Sequence, residues 1–176
     1  MPQTMLYGEI LAQAALTRLR AAASAMAAPL AGTFVPDRRY QEWPDGTLKA
    51  LYCFSPSEAG QGRSQALPEF LLTHTIHIEG MLAQGREETT DLDVAVATFA
   101  QAILDLLLGD ATFLGLFGWV ESYSFDKEDV TTGRDATRYD EIRFRLSLEL
   151  AGADAIYTPA SDGPLVTNVN VEDDSP

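Results

Sequence analysis

The chain has 176 residues and a mass of 19.1 kDa, and 26 acidic against 12 basic side chains give a formal net charge of −14. That length fits one domain able to bury its own core, and that charge excludes a surface built to grip a phosphate backbone. No apolar run reaches the roughly 20 residues needed to cross a bilayer, and the single cysteine, Cys53, excludes an intrachain disulfide framework and fits a reducing compartment.

The opening MPQTMLYGEI lacks the basic and apolar regions of a secretory signal. Residues 3–28 are rich in Ala, Leu, Gln and Arg and predict a helix. Met5, Ala12, Leu16, Leu19, Ala23 and Met26 recur at helical spacing as an apolar stripe. Glu9, Gln13, Thr17 and Arg20 fall on the far side, and Pro29 and Gly32 end the pattern. After a connector over 34–46, TLKALYCF (47–54) predicts a strand. Leu48, Ala50, Tyr52 and Phe54 share one face, Leu51 and Cys53 the other, so the strand is expected to be covered on both sides. Residues 55–68, SPSEAGQGRSQALP, have no hydrophobic period and predict a long loop.

EFLLTHTIHIEGM (69–81) alternates cleanly. Phe70, Leu72, His74, Ile76 and Ile78 face one way, Thr73, Thr75, His77 and Glu79 the other, which predicts an antiparallel strand with one buried face. A second helix is expected with Thr90 as N-cap, Asp93 completing a capping-box variant and Gly109 as the stop. Glu87, Glu88, Asp91 and Asp93 crowd its start, where the helix dipole favours negative charge. Leu92, Val96, Phe99, Ile103 and Leu106 make one stripe; Val94, Ala97, Leu104 and Leu108 make another. Apolar on two sides, the helix is expected to be buried on two sides.

Residues 115–130 and 137–150 predict a final pair of strands, the last placing Ile142, Phe144, Leu146, Leu148 and Leu150 on its inner face. Between them a charged tip, DKEDVTTGRDA (126–136), makes Asp126, Lys127, Glu128, Asp129 and Arg134 a candidate partner-binding surface. The tail after Leu150 carries five acids and no Lys or Arg. Residues 1–150 are read as one domain and 151–176 as an acidic extension, within which Leu165 to Glu172 alternates and suits strand addition to another chain. The order helix–strand–strand–helix–strand–strand predicts an α+β fold, a mostly antiparallel four-stranded sheet with two packed helices.

Chemistry-bearing residues are few. His74 and His77 are an odd number apart, so on a strand they face opposite ways and form no two-histidine metal site. His74 reads as a core histidine and Cys53 as a small buried hydrophobe. GQGRS (60–64) lacks the lysine of a phosphate loop and opens no helix, so it reads as linker. The acidic cluster 87–93 lacks the spacing and the glycine of a calcium loop. No catalytic or metal-binding residue is assigned.

Taken together, the N-terminal helix (Met5 to Met26), TLKALYCF, a long loop, FLLTHTIHIEGM, the capped helix TTDLDVAVATFAQAILDLLL, and the ending VESYSFDKED with ATRYDEIRFRLSLEL resemble tail terminator proteins of lambda-like long-tailed bacteriophages and related particles. The likeness is one of pattern over residues 3 to 150. It implies a non-enzymatic assembly protein, without cofactor, in the virion neck. Such proteins form hexameric rings that cap the tail tube, contact the tail tube protein and a head-completion or stopper protein, and let DNA pass through the lumen. The net charge adds the expectation of an acidic lumen that DNA does not stick to. Alternatives are another neck or head-completion component, a small-molecule-binding regulatory α+β domain, or an enzyme using paired carboxylates.

Overall fold

Alanine and leucine at helical spacing fold residues Tyr7–Ser24 into α1, which buries Leu11, Ala12, Ala15, Leu16, Leu19, Ala22 and Ala23 along one stripe. The computed structural model describes residues 7–26, 28–36, 47–62, 70–85, 91–130 and 139–157. After α1 come β1 (Lys49–Gly62), β2 (Phe70–Gly85), α2 (Leu92–Leu108), α3 (Ala111–Leu114), β3 (Trp119–Val130) and β4 (Tyr139–Tyr157). The strands form one sheet in the order β1-β2-β4-β3, with every neighbouring pair antiparallel. The expected α+β architecture is therefore the observed one, with α3 added.

Both helices cover the same sheet face. Alternation and register set Leu51, Gly80 and Phe144 in one row of that face, Cys53, Ile78 and Leu146 in the next, and His74 with Leu150 near its end. The ring of Phe99 on α2 meets that of Phe144 edge-on, centroids 5.9 Å apart. Phe99, Ile103, Leu146 and their neighbours form one continuous core with α1. Full burial of each such side chain stabilises the fold by about 1.5–3 kcal/mol before entropy is counted. Ala50, Leu51, Tyr52 and Cys53 are all buried, so β1 is covered on both sides there, as its sequence implies.

Several expectations are corrected. The first helix ends at Ser24, and Met26, expected on its apolar stripe, has a positive φ of 55° and is 68% exposed. Arg20 lies off the buried stripe as expected, and it also donates to the carbonyls of Val35 and Pro36 and so holds the connector against α1. The loop expected over 55–68 is strand as far as Gly62, where β1 ends, and residues 63–68 lie outside the described set. A bulge lies between Phe54 and Ser57, and it accommodates Pro56, which has no N–H to give the ladder. Beyond it the backbone ladder to β2 holds the strand where side-chain alternation is lacking.

The N-cap of α2 is Asp91, whose carboxylate accepts from the backbone N–H of Asp93 and Val94 at 3.0 and 3.3 Å. Thr90, Glu87 and Glu88 lie outside the described residues. The strand expected from Gly115 begins only at Trp119, because Asp110 caps the short α3 and Gly115 ends it. At the other end β4 passes the boundary drawn at Leu150 and runs to Tyr157, while residues 158–176 lie outside the described set. The core face of α2 is Val96, Phe99, Ala100, Ile103 and Leu107, with Leu92 and Leu106 only half-buried. Its second stripe is not fully buried among the described residues: Val94 is 59% exposed, Ala97 is exposed, and Leu104 and Leu108 are half-buried.

Candidate partner-binding surface

The charged residues singled out between the last strands are distributed by strand alternation over two faces. Asp126 and Glu128 stand on the sheet face away from the helices, opposite Arg145 and Arg143 of β4. Lys127, between them, points to the helix side and pairs with Asp93 in the first turn of α2. All three are exposed. The backbone of Asp129 is placed opposite Ile142, and Arg134 lies outside the described residues. Asp126 and Glu128 are therefore on the opposite sheet face from Lys127. Lys127 is engaged in tying the margin of the sheet to α2, and Asp126 and Glu128 belong to the open face.

That open face is a ladder of alternating charge. Arg145 Nη2 donates to Glu79 Oε1 of β2 at 2.7 Å, and Arg143 Nε donates to Glu141 Oε1 of its own strand at 2.8 Å. Ser122 donates to Glu149 at 2.7 Å. Glu79, Glu141, Glu149, Asp126 and Glu128 thus face Arg143 and Arg145, which leaves the face net acidic. Toward β1 it turns aromatic, with Tyr52 stacked beside Phe54 and the ring of His77 edge-on to Phe54 at 5.4 Å.

On the helix side, β3 presents an apolar flank that charge counting misses. Tyr123 there is 63% exposed, while Trp119, opposite Ala151 at the start of the strand, faces the open side and is 47% exposed. Phe125 and Val120 lie half-buried against the core. Helical geometry puts Ala97, Leu104 and Leu108 on the flank of α2 that also carries Asp93, and Asp93 reaches β3 through Lys127. The half-open stripe of α2 therefore borders β3. β3 is also a margin of the sheet, with no strand beside it among the described residues. At the opposite margin, Phe34 closes part of β1 through a parallel bridge to Ala50, with Phe34 N to Lys49 O at 2.9 Å and Leu51 N to Phe34 O at 3.0 Å.

The groups weighed for chemistry have structural surroundings. His74 is fully buried, 5.2 Å from the ring of Tyr7 on α1, whereas His77 sits on the open face, so the two face apart as their spacing requires. Cys53 is fully buried, and burial first, then the nearby Glu9 carboxylate, pushes its thiol well above the ordinary range. Asp110 accepts from Arg18 Nε at 2.6 Å and from the backbone N–H of Thr112 and Phe113. The Arg18 hydrogen bond leads in lowering its carboxyl to about 2. Arg18 also lies over the Phe113 ring, 5.5 Å from its centroid, so this pair clasps α1 to the turn after α2.

Gly60 to Gly62, read as linker, form the end of β1, while Arg63 and Ser64 are outside the described residues. No described helix is long and apolar enough to cross a membrane. No protein-family model and no curated protein matches the chain.

Proposed function

We propose that this chain is a structural, non-enzymatic assembly protein that caps a phage tail tube as a homo-oligomeric, hexameric ring and joins it to the head-completion proteins. The observation that carries the reading is the β3 margin. This margin combines a sheet edge, exposed Tyr123 beside the half-open stripe of α2 on the helix side, and exposed Trp119 on the open side. Apolar surface beside a strand edge is costly to leave in water and prone to pairing. Heterologous contact between copies, each using this flank against a different flank of its neighbour, buries it and closes a ring. The choice of a tail tube as the surface capped rests on the resemblance of the sequence pattern to tail terminator proteins.

The acidic open face suits a surface past which DNA slides without adhering, since like charges repel across a Debye length of about 8–10 Å at moderate salt. On this reading the protein works in the neck of the particle and in the host cytoplasm during assembly.

Mass measurement and electron microscopy of the purified protein with isolated tail tubes test the reading. Six-fold rings seated on one tube end are expected. Reversing charge at Asp126, Glu128 and Asp129 is expected to leave the fold intact and to impair assembly of infectious particles. A protein that stays monomeric with tubes present, or full infectivity of the reversed variant, overturns it.

A further inference from the structure

The charge of the subunit is unevenly divided between its two margins. From Tyr7 to Gly62, the stretch that holds α1 and β1, five basic side chains balance five acidic ones. From Asp91 to Val130, the stretch that holds α2, α3 and β3, one basic side chain stands against eight acidic ones. The sheet order puts β1 and β3 at opposite margins of the described strands. Each helix lies over its own side: a Cβ at Gly8 of α1 would touch Ser55 of β1, while Phe99 of α2 packs on Phe144 of β4 and Asp93 pairs with Lys127 of β3. Three strand spacings separate the margins by about 14 Å. That exceeds the Debye length of about 8 Å at physiological salt, so each margin presents its own charge to a neighbour.

Both margins also carry exposed apolar side chains. At the acidic margin these are Tyr123 on the helix side of β3 and Val94 on the outer ridge of α2. At the neutral margin the end of α1, the turn after it and the start of β1 meet in a corner. Gly32 N donates to Ala23 O at 3.4 Å, Lys49 Nζ to Pro29 O at 3.4 Å, and Phe34 N to Lys49 O at 2.9 Å. Met26, just past α1, and Leu48, just before β1, both stand exposed at this corner.

We propose that the occupant of the acidic margin is a second copy of this chain, docked head to tail by its neutral margin, with Met26 and Leu48 against Tyr123 and Val94. The inference deepens the ring reading above and rests on it only for closure into a ring. A two-fold contact through β3 would set one acidic margin against another, like charge facing like charge. The neutral margin approaches the same surface without that opposition and brings apolar side chains of its own. The two patches are different surfaces, so a docked pair keeps one of each for the next copy. The contact is made by exposed side chains and does not use the backbone edge of β3. At about 0.01 M salt the Debye length grows to about 30 Å, and the whole net charge of −14 on each copy opposes association. At physiological salt only the facing margins are felt, so the contact tightens as salt rises.

Two variants and their mixture provide the test. Met26→Glu with Leu48→Glu alters the neutral margin alone, and Val94→Glu with Tyr123→Glu the acidic margin alone. All four positions are exposed, so the fold is expected to hold, which thermal unfolding checks. Should a double variant melt early, Met26→Glu and Tyr123→Glu singly make the same comparison. In sedimentation at about 0.15 M salt, each variant alone is expected to self-associate about tenfold or more weakly than the parent. An equimolar mixture is expected to form one-to-one pairs with the parent's affinity and nothing larger, because each pair joins the one intact patch of each kind. Variants that associate as the parent does, a mixture no more associated than its components, or a parent that stays monomeric up to about 1 mM each overturn the proposal. Open chains of the parent, or rings that do not seat on tail tubes, with the mixture still pairing, count against the ring reading alone.

Discussion

Replacing Gly80 with alanine probes whether the core beneath α2 is packed around the Phe144 ring. A Cβ at Gly80 would stand 2.2 Å from Cζ and 2.5 Å from Cε1 of Phe144, and 2.8 Å from Cδ2 of Leu51. Carbon atoms rest about 3.5–4.0 Å apart, so the Phe144 ring has to retreat by more than about 1 Å. It has little room to do so, because it packs against Phe99 and Phe125, each 5.9 Å away between ring centroids. Overpacking of this kind costs about 1–3 kcal/mol. Removing a glycine from the unfolded chain returns about 0.4–1 kcal/mol.

The net expectation for Gly80→Ala is a loss of about 1–2 kcal/mol, or a fall in Tm of roughly 2–8 °C at 2–4 °C per kcal/mol for a chain of this size. Denaturant and thermal unfolding measure it. Shortening the ring with Phe144→Leu destabilises the parent but makes room for the new methyl. The double-mutant cycle should therefore show favourable coupling of about 0.5–3 kcal/mol. A Gly80→Ala protein as stable as the parent, or a cycle with no coupling, refutes the placement of Phe144 over Gly80.

Two further measurements address the titratable groups. The Asp110 carboxyl, held at about 2 against 3.8 unperturbed, contributes stability that is complete above about pH 4 and lost as pH falls toward 2. Asp110→Asn keeps a capping side chain for α3 while losing the ionised partner of Arg18. Its unfolding free energy should fall less steeply than the parent's over that acid window, and parallel curves would contradict the clasp. Cys53 should resist alkylation in the folded protein and react at a rate set by unfolding, since the thiol is buried and its ionisation suppressed. Rapid native-state labelling would contradict the burial of β1 on both faces.

The parts of the fold legible in the sequence are those that depend on local period. The alternation of Ile142 to Leu150 and of His74 to Ile78 reports directly which side of a strand is buried, and the helical spacing of Ala12, Leu16, Leu19 and Ala23 reports the stripe of α1. The missed parts depend on partners distant in the chain. Ser55 to Gly62 have no period of their own and are strand because β2 supplies a ladder. Trp119 and Tyr123 lie in a segment correctly read as strand, but their exposure depends on the sheet order β1-β2-β4-β3, which places the third strand at a margin and the fourth inside. No short-range pattern encodes that exchange. The charge of Asp126 to Asp129 was visible, whereas the engagement of Lys127 by Asp93 requires α2 to cross toward that margin.

The two margins of the sheet meet one physical problem in different ways. At β1, Phe34 contributes a backbone bridge from the chain's own connector, and Arg20 fastens Val35 and Pro36 to α1, so part of that edge is closed by folding itself. At β3, the exposed charges of Asp126, Lys127 and Glu128 line the strand while Trp119 and Tyr123 provide apolar surface beside them. Charge on an edge discourages indiscriminate pairing, and apolar contact rewards a partner that fits. A net charge of −14 adds a repulsion between copies that salt weakens and apolar burial does not. Association through β3 should therefore be weak at low ionic strength and strengthen as salt rises, the opposite of an interface held by ion pairs. Sedimentation across a salt series separates the two cases.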